Sequence, residues 1–175
     1  IIVTGSLGFV GKNIVQKLLD ENYFVISIDI KDTSIKSKSY KHFKTSVKNF
    51  FSKKKIDDVY AIIDLAADPR NNYYYLKPEL ALKNISNIFL ILSYIKSFKK
   101  KPILIFSSTK QIETDELAKN KGPYSISKKF SEDLIDFYYK NYGVLSHVIR
   151  FSDVFSIDNN PKNKALIKFI NKSKK

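Results

Sequence analysis

The sequence predicts an α/β protein built on a doubly wound parallel sheet. Short apolar runs rich in β-branched residues recur along the chain, and amphipathic segments with helical spacing lie between them. The apolar runs are nearly continuous rather than alternating, which is typical of strands that are buried on both faces. Strands that alternate with helices favour a parallel sheet covered by helices on both sides.

Five apolar runs are predicted to be strands, and a weaker sixth candidate lies around His42–Val47. In chain order the five runs are Ile1–Thr4, Phe24–Ile28, Val59–Leu65, Ile103–Phe106 and Val148–Phe151. All are rich in the residues that β-strands favour. We therefore expect them to lie side by side in the sheet.

Three apolar stripes with helical spacing are predicted to be helices that cover the sheet. The first follows Gly8 and comprises Phe9, Val10, Ile14, Val15, Leu18 and Leu19. The second comprises Ile85, Ile88, Phe89, Leu92 and Ile95, and the third comprises Phe130, Leu134, Ile135, Phe137 and Tyr138.

The last fifteen residues, "PKNKALIKFINKSKK", are predicted to begin another amphipathic helix. Its apolar side comprises Ala165, Leu166, Phe169 and Ile170. We expect residues 1–160 to form the domain that contains this sheet and residues 161–175 to begin a truncated second lobe. Because the chain contains no methionine, we also expect its natural start to be missing or processed.

The composition is that of a globular protein. The 175-residue chain is 43% hydrophobic and contains no cysteine, which excludes disulfide and thiolate chemistry. No apolar run is long enough to cross a bilayer, and no signal peptide is visible. We expect a cytoplasmic protein that does not attach to a membrane.

The net charge of +14 could indicate an anionic partner such as nucleic acid. However, 29 of the 31 basic residues are lysine, and only Arg70 and Arg150 can form the forked contacts that phosphates and bases favour. The lysines are also spread along the chain. We therefore predict a solvated surface and no nucleic-acid partner. A nucleic-acid-binding domain stays open as a rival function, and it would show steeply salt-dependent binding.

Three of the five glycines lie in one short stretch, "TGSLGFVG", at Gly5, Gly8 and Gly11. A tight turn from strand to helix needs a residue with the conformational freedom of Gly5. The start of a helix attracts phosphate, and Gly8 has no side chain to block that approach. Gly11 lets the helix lie close to the sheet. The stretch therefore predicts a dinucleotide-binding turn.

An acidic residue at the end of the second predicted strand supports this prediction. Asp29 lies 24 residues after Gly5, in the segment "FVISIDI". A carboxylate at this position can accept hydrogen bonds from both hydroxyls of an adenosine ribose, and it repels a 2′-phosphate. The sequence thus predicts NAD as the cofactor, in preference to NADP.

The Gly-x-x-Gly-x-x-Gly spacing resembles that of the short-chain dehydrogenase/reductase superfamily, which has the Rossmann fold. The chain is most similar to its extended branch, the NAD-dependent epimerase/dehydratase family, over Ile1 to about Ile170. This resemblance implies a nucleotide-sugar substrate. It also implies that NAD is bound by Gly5, Gly8, Phe9, Val10, Gly11 and Asp29.

Later segments resemble the family's motifs in the family's order. "IDLAA" resembles a fourth-strand segment that lines the cofactor, which implies contacts from Leu65, Ala66 and Ala67. "LKNISN" resembles a helix motif in which Asn84 supports the site. "FSST" resembles the fifth-strand segment that carries the catalytic hydroxyl, and "YSISK" resembles the Tyr-x-x-x-Lys pair. "VIRFSDVFS" and "ALIKFI" resemble the segment after the sixth strand and the first helix of the substrate lobe.

A Tyr-x-x-x-Lys match alone carries little information in a chain so rich in lysine. Three such matches occur, at Tyr40/Lys44, Tyr73/Lys77 and Tyr124/Lys128. Context favours the third, because it opens a predicted helix 15 residues after the Ser-Ser-Thr at a strand end. A spacing of four places both side chains on one helix face.

The resemblance implies the roles of three catalytic residues. Tyr124 takes the proton from a sugar hydroxyl while hydride moves from that carbon to C4 of the nicotinamide. Lys128 lowers the tyrosine pKa, which is ordinarily about 10, and holds the nicotinamide ribose. Thr109 hydrogen-bonds the reacting oxygen. Ser108 is the alternative to Thr109, since one step along a strand turns a side chain to the other face.

Several positions depart from the family pattern. Gln111-Ile112-Glu113 replaces Val-Tyr-Gly, and the short spacing from Thr109 to Tyr124 implies a shortened loop over the substrate. Lys110-Gln111 argues against the 4,6-dehydratases. Other unusual residues are Ser46, Asp64, Asn87 and Asp153. These departures keep open an alternative function, a non-catalytic NAD(P)-binding regulator of the same fold.

Three further expectations concern ligands and partners. The "NNYYYL" run, Asn71–Leu76, is predicted to be a loop near the carboxyl edge of the sheet, and it either contacts the substrate or simply packs. His42 and His147 are far apart, so we predict no metal site. The family commonly dimerises through the helices that begin near Ile85 and Tyr124, which implies a homodimer.

Overall fold

Strands and helices alternate along the chain. The fold is described from a computed structural model over residues 1–67, 71–117, 122–152 and 154. In these ranges the elements are, in chain order, β1 (Ile2–Thr4), α1 (Phe9–Asp20), β2 (Val25–Asp29), β3 (Tyr40–Lys44), α2 (Val47–Lys53), β4 (Ala61–Asp64), α3 (Asn71–Leu76), α4 (Leu80–Lys96), β5 (Ile103–Thr109), α5 (Gln111–Leu117), α6 (Pro123–Tyr142) and β6 (Ser146–Phe151).

The strands form one parallel sheet in the order β3-β2-β1-β4-β5-β6. This confirms the predicted doubly wound parallel sheet. From β1 the chain winds outward to β2 and β3, whereas from β4 it winds in the opposite direction to β5 and β6. Ligands of such sheets bind beyond the carboxyl ends of the strands, where the winding reverses. The residues that follow β1 and β4 lie at this point.

The core is divided between the two faces of the sheet. The larger cluster packs one face against α2, α4 and α6, and it includes Ile62, Ile91 and Phe106. The smaller cluster, which includes Val3 and Val15, lies under α1 on the other face. Because β1, β2 and β4 supply residues to both clusters, they are buried on both sides, as their continuous apolar pattern predicts.

The prediction of burial on both faces is wrong for the outer strands. Residues of β5 alternate between buried and half-buried, and most residues of β6 are exposed, including Val148 and Ile149. The edge strand β3 is also only partly covered. The described helices pack mainly over the centre of the sheet, so the edges are less protected.

The boundaries of two strands differ from the prediction. β3 occupies Tyr40–Lys44 rather than His42–Val47, because Ser46 caps the next helix by accepting a hydrogen bond from the N–H of Asn49 at 3.1 Å. β5 continues three residues beyond its predicted end at Phe106, since its pairing with β6 extends to Thr109. The carboxyl edge of the sheet therefore contains the Ser-Ser-Thr segment.

The predicted helical stripes are only partly buried. On α6, Ile135 and Tyr138 are buried, but Phe130 and Phe137 are about half exposed. On α4, Phe89 is similarly exposed. The predicted helix of residues 161–175 and the unusual Asp153 lie outside the described residues. None of the described helices is both long and apolar enough to cross a membrane.

Candidate active site

The turn after β1 brings the start of α1 against the end of β4. Gly5 has φ +60°, and a Cβ at this residue would lie 2.7 Å from the carbonyl oxygen of Leu65. The N–H of Gly8 closes the turn by donating to the Gly5 carbonyl at 3.0 Å. A Cβ on Gly11 would lie only 2.3 Å from that same carbonyl oxygen. The glycines therefore allow a helix start, with no side-chain cap at Gly8, to lie at the point where the winding reverses.

Asp29 lies beside this turn, at the carboxyl end of β2. Its Oδ2 accepts a hydrogen bond from the N–H of Leu7 at 2.9 Å, and its Oδ1 accepts one from the N–H of Lys31 at 3.0 Å. These contacts fix the carboxylate between the glycine turn and the loop after β2. Since a carboxylate offers about four acceptor positions, it can still accept hydrogen bonds from a ligand's hydroxyl groups.

The segment after β4 is attached to the end of β1. The Oγ1 of Thr4 accepts hydrogen bonds from the N–H groups of Leu65 at 3.2 Å and Ala66 at 3.3 Å. The N–H of Ala67 donates back to the carbonyl of Leu65 at 3.0 Å. The backbone of residues 65–67 therefore lies next to Gly5.

Two buried ionisable groups lie beneath the carboxyl edge of the sheet. Asp64 is 4% exposed, and its Oδ1 accepts a hydrogen bond from the hydroxyl of Thr4 at 2.5 Å. Burial raises the pKa of Asp64, although the Lys128 ammonium and the Thr4 hydroxyl oppose this shift. Lys128 is also 4% exposed. Burial lowers the pKa of Lys128 to about 8, while the carboxylates of Asp64 and Glu132 act in the opposite direction.

Tyr124 and Lys128 lie together at the start of α6. The Lys128 Nζ is 6.0 Å from the centre of the Tyr124 ring, and it donates a hydrogen bond to the carbonyl of Ser107 at 2.6 Å. Tyr124 is half-buried, and the centre of its ring lies 5.1 Å from that of Tyr74. The structure thus brings the Tyr-x-x-x-Lys pair to the carboxyl end of β5.

Asn84 connects three helices behind Tyr124. Its Nδ2 donates hydrogen bonds to the hydroxyl of Tyr74 on α3 at 2.9 Å and to Ser127 Oγ on α6 at 3.2 Å. Ser127 in turn donates to the Tyr124 carbonyl at 2.7 Å. This arrangement agrees with a supporting role for Asn84.

The prediction of a loop at Asn71–Leu76 is wrong, because these residues form the short helix α3. A helix of six residues is too short to show a periodic apolar stripe. Within it Tyr74 is 1% exposed and Tyr75 is largely exposed. Sequence reasoning missed the contact of Tyr74 with Tyr124, and the run of three tyrosines at the sheet edge was the available signal.

Ser108 and Thr109, the two candidate hydroxyl residues, face opposite sides of β5. Ser108 is buried, and its Oγ donates to Glu132 Oε1 at 2.5 Å. Thr109 is half-buried, and its Oγ1 accepts a hydrogen bond from the N–H of Gln111 at 3.2 Å. Because Ser108 is committed to Glu132, the geometry favours Thr109 as the hydroxyl available to a substrate.

A charged network that the sequence did not predict lies behind Ser108. Arg150 donates two hydrogen bonds to Glu132, at 3.0 and 2.6 Å, and one to Glu113 at 2.9 Å. Although burial opposes the shift, hydrogen bonds from Arg150 and Ser108 hold the pKa of Glu132 below its usual value. The network joins β5, β6, α5 and α6 next to the candidate site.

The other candidates lie on or next to α1, α2, β3 and β6. Phe9 and Val10 are the first residues of α1 and are half-buried. Ser46 is the cap of α2 described above. His42 lies 3.0 Å from the Ser27 hydroxyl and 2.9 Å from the Lys31 carbonyl, whereas His147 is exposed on β6. Within the described ranges no three His, Cys, Asp or Glu residues are grouped so that they could hold a metal ion.

Comparison with known proteins assigns this arrangement to a family. The sequence profile described as "NAD dependent epimerase/dehydratase family" matches residues 1–175. The chain belongs to this family. The resemblance predicted from the sequence motifs is therefore confirmed.

Two proteins with a curated description or a solved structure are similar to this chain. The UDP-glucuronate 4-epimerase of Thermodesulfobacterium geofontis is 26% identical over 200 residues, which cover 97% of this chain and 60% of that protein. The Bordetella bronchiseptica enzyme WbmF, solved in complex with NAD⁺, is 25% identical with a TM-score of 0.75, over 88% of this chain and 49% of WbmF.

A third relative shares the fold more completely. The UDP-N-acetylglucosamine 4-epimerase of Methanobrevibacter ruminantium, solved with UDP-N-acetylmuramic acid, has a TM-score of 0.82 at 22% identity. The match covers 97% of this chain and 61% of that structure. The chain spans 59% and 60% of the lengths of the two curated relatives that it matches.

Proposed function

We propose that the chain supplies the cofactor-binding and catalytic residues of an NAD-dependent enzyme that acts on a nucleotide-linked sugar. The observation that carries this proposal is the placement of Tyr124 and Lys128 at the same sheet edge as the glycine turn. The family assignment supports an epimerase, dehydratase or reductase, and the matched relatives favour a 4-epimerase acting on a UDP-sugar.

The residues around the reversal point fit NAD. The uncapped start of α1 offers N–H groups and a positive dipole end to a diphosphate, and the absence of a side chain at Gly8 leaves the approach open. The Asp29 carboxylate accepts hydrogen bonds from the hydroxyls of the adenosine ribose. The backbone of residues 65–67 lines the cofactor between these sites. Bound NAD supplies both the acceptor and the donor of hydride.

The proton chemistry belongs to Tyr124, Lys128 and Thr109. The Tyr124 phenolate accepts the proton of the sugar hydroxyl and returns it when the carbonyl is reduced. The Lys128 ammonium stabilises the phenolate, because a nearby positive charge favours the ionised form of an acid. The Thr109 hydroxyl donates a hydrogen bond to the reacting oxygen. Tyr74 and Asn84 hold Tyr124 and the start of α6 in place.

We further propose a homodimer formed through α4 and α6, as the family resemblance implies. The described faces of these helices leave large apolar side chains half exposed, which is consistent with a covered surface in the assembled protein.

A cytoplasmic location stays a prediction from the sequence.

Turnover of UDP-sugars by the full-length protein tests this function. We expect interconversion of UDP-glucuronate or UDP-glucose with its 4-epimer, measured by chromatography of the nucleotide sugars. Tyr124→Phe removes the base and should lower kcat by about 10²–10⁴-fold. Tyr139→Phe, an exposed position on the same helix, is the matched control and should be unaffected.

Two results would contradict the proposal. Unchanged turnover in Tyr124→Phe would show that this residue is not the base. Binding of NAD without conversion of any nucleotide sugar would instead favour the non-catalytic NAD(P)-binding regulator.

A further inference from the structure

Asp64 is a buried acid that the reaction described above does not use. It is the last residue of β4 and pairs in register with Thr4 on β1 and with Phe106 on β5. The side chains of paired residues in a parallel sheet lie on the same face, so these three form a row across the central strands. That face is the one covered by α6, which carries Lys128.

The Lys128 ammonium lies over this row. Its Nζ is 4.6 Å from the centre of the Phe106 ring and donates a hydrogen bond to the Ser107 carbonyl. Neither neighbour carries a formal charge. A buried ammonium is costly unless it is paired with an opposite charge. Asp64 is attracted electrostatically to Lys128 and is as deeply buried, so it is suited to this role.

We propose that Asp64 is a positioning residue for the catalytic pair, whose carboxylate keeps the Lys128 ammonium charged beneath Tyr124. The hydroxyl of Thr4 and the N–H of Ala66 hold Asp64 by donating to its Oδ1. Hydrogen bonds of this kind favour the ionised carboxylate. This inference rests on the proposed function, because it assigns Asp64 a part in activating Tyr124.

The other titratable groups around Lys128 are accounted for. On α6 itself, Tyr124 lies one turn before Lys128 and Glu132 one turn after it. Glu132 also attracts the ammonium, but its carboxylate is already shared between Ser108 and Arg150. From β5 the neighbours are Phe106 and Ser107, which do not titrate. Asp64 is the acidic contribution from β4.

Loss of the Asp64 charge should make Lys128 lose its proton at lower pH. Burial lowers the pKa of Lys128 to about 8. An interacting opposite charge typically shifts a pKa by about one unit or more, so Asp64→Asn should lower the pKa of Lys128 by about that amount. In a plot of turnover against pH, the loss of turnover on the alkaline side should occur at a pH lower by the same amount. The reason is that neutral Lys128 no longer stabilises the phenolate.

The Lys128 midpoint can be measured directly in full-length protein labelled with ¹³C at lysine Cε. The Lys128 signal is the one that titrates near pH 8 and is absent from Lys128→Arg. Asp136→Asn is the matched control, since it makes the same change in charge at an exposed site on α6 that is paired with Lys140. This control should leave the Lys128 midpoint unchanged.

A reciprocal experiment does not require Asp64→Asn to fold. Linkage demands that Lys128 lower the pKa of Asp64 by as much as Asp64 raises that of Lys128. In protein labelled with ¹³C at aspartate Cγ, Lys128→Met should therefore raise the Asp64 midpoint by about one unit.

The two titrations separate this inference from the proposed function. Shifts of both the Lys128 and the Asp64 midpoints support the coupling between these residues. They do so even if no nucleotide sugar is converted, and in that case only the proposed function fails. Unmoved midpoints in a protein with normal turnover overturn the role of Asp64 and leave the proposed function intact. A shifted Lys128 midpoint with an unmoved alkaline loss of turnover also overturns the positioning role.

Discussion

Asp29 is held by the backbone N–H groups of Leu7 and Lys31, so the protein itself fixes the position of its carboxylate. We expect Asp29→Asn to weaken NAD binding and to remove the preference for NAD over NADP, since the amide neither repels a 2′-phosphate nor accepts hydrogen bonds as strongly. Loss of a charged hydrogen bond typically costs about 1.5–3 kcal/mol, or roughly tenfold or more in affinity. Calorimetric titration with both cofactors measures the change.

Asp32→Asn provides the control for this prediction. Asp32 lies three residues later, is exposed and pairs with Lys44 at 2.6 Å. We expect the Asp32→Asn variant to retain the preference for NAD over NADP. If Asp29→Asn prefers NAD over NADP as strongly as the unaltered protein does, then Asp29 does not recognise the ribose.

At the residue scale, the placement of a candidate site residue was predictable where it depends on local sequence. Tyr124 and Lys128 are four residues apart, and the structure brings them together on one helix. The contact between Tyr74 and Tyr124 was not predictable, because it joins residues 50 positions apart. Similarly, Arg150 meets Glu113 across 37 residues. Only the packed fold places such side chains together.

At the element scale, α1 depends on its close contact with the glycine turn. We expect Gly11→Ala to cost about 2–3 kcal/mol of unfolding free energy, because its Cβ would clash with the Gly5 carbonyl and overpacking has costs of this size. The same change should weaken NAD binding by displacing the helix start. Urea denaturation and calorimetry measure the two effects.

Gly143→Ala is the matched control for the clash. Gly143 ends α6 with φ +65°, but a Cβ there meets nothing within 4 Å. This variant has backbone strain without a clash, so it should lower the free energy of unfolding by about 1–2 kcal/mol and leave NAD binding unchanged. Greater destabilisation by Gly143→Ala than by Gly11→Ala would contradict the assigned role of Gly11.

The predictability of an element depended on its length and its burial. The central strands and the long helices α1, α4 and α6 have patterns that extend over enough residues to be recognised. The helices α2, α3 and α5 have only six or seven residues and no full stripe. β5 was predicted too short because Ser107–Thr109 are polar, although they continue the pairing with β6. Tertiary pairing, not propensity, extends that strand.

At the scale of the whole molecule, the order of the strands creates the site. β1 and β4 are neighbours although they are 57 positions apart in sequence at their closest, and the segment that follows each strand lies at the same edge of the sheet. The alternation of strands and helices predicted a parallel sheet, but periodicity does not state which strands are neighbours. The family resemblance implied the Rossmann fold, and the structure gives the order of the strands.

The outer faces of α4 and α6 form an apolar surface that the described core does not cover. Phe89 is 51% exposed and Phe137 is 48% exposed. Between the helices lies an open groove of about 590 Å³ whose lining includes Phe89, Leu134, Phe137 and Tyr142. Two-fold association would bury this surface against the same surface of a second copy, because a two-fold interface uses one patch on both subunits.

We therefore expect the full-length protein to sediment as a dimer at micromolar concentration. Phe137→Glu should yield monomers, since an unpaired carboxylate in an apolar interface is costly. Its melting temperature, measured at low concentration, should stay close to that of the unaltered monomer because Phe137 is already half exposed. Tyr139 lies on another side of α6 and is about as exposed as Phe137. The Tyr139→Glu variant should therefore remain dimeric. An unaltered protein that stays monomeric at 100-fold higher concentration, or a Phe137→Glu variant that still dimerises, would exclude this face as the interface.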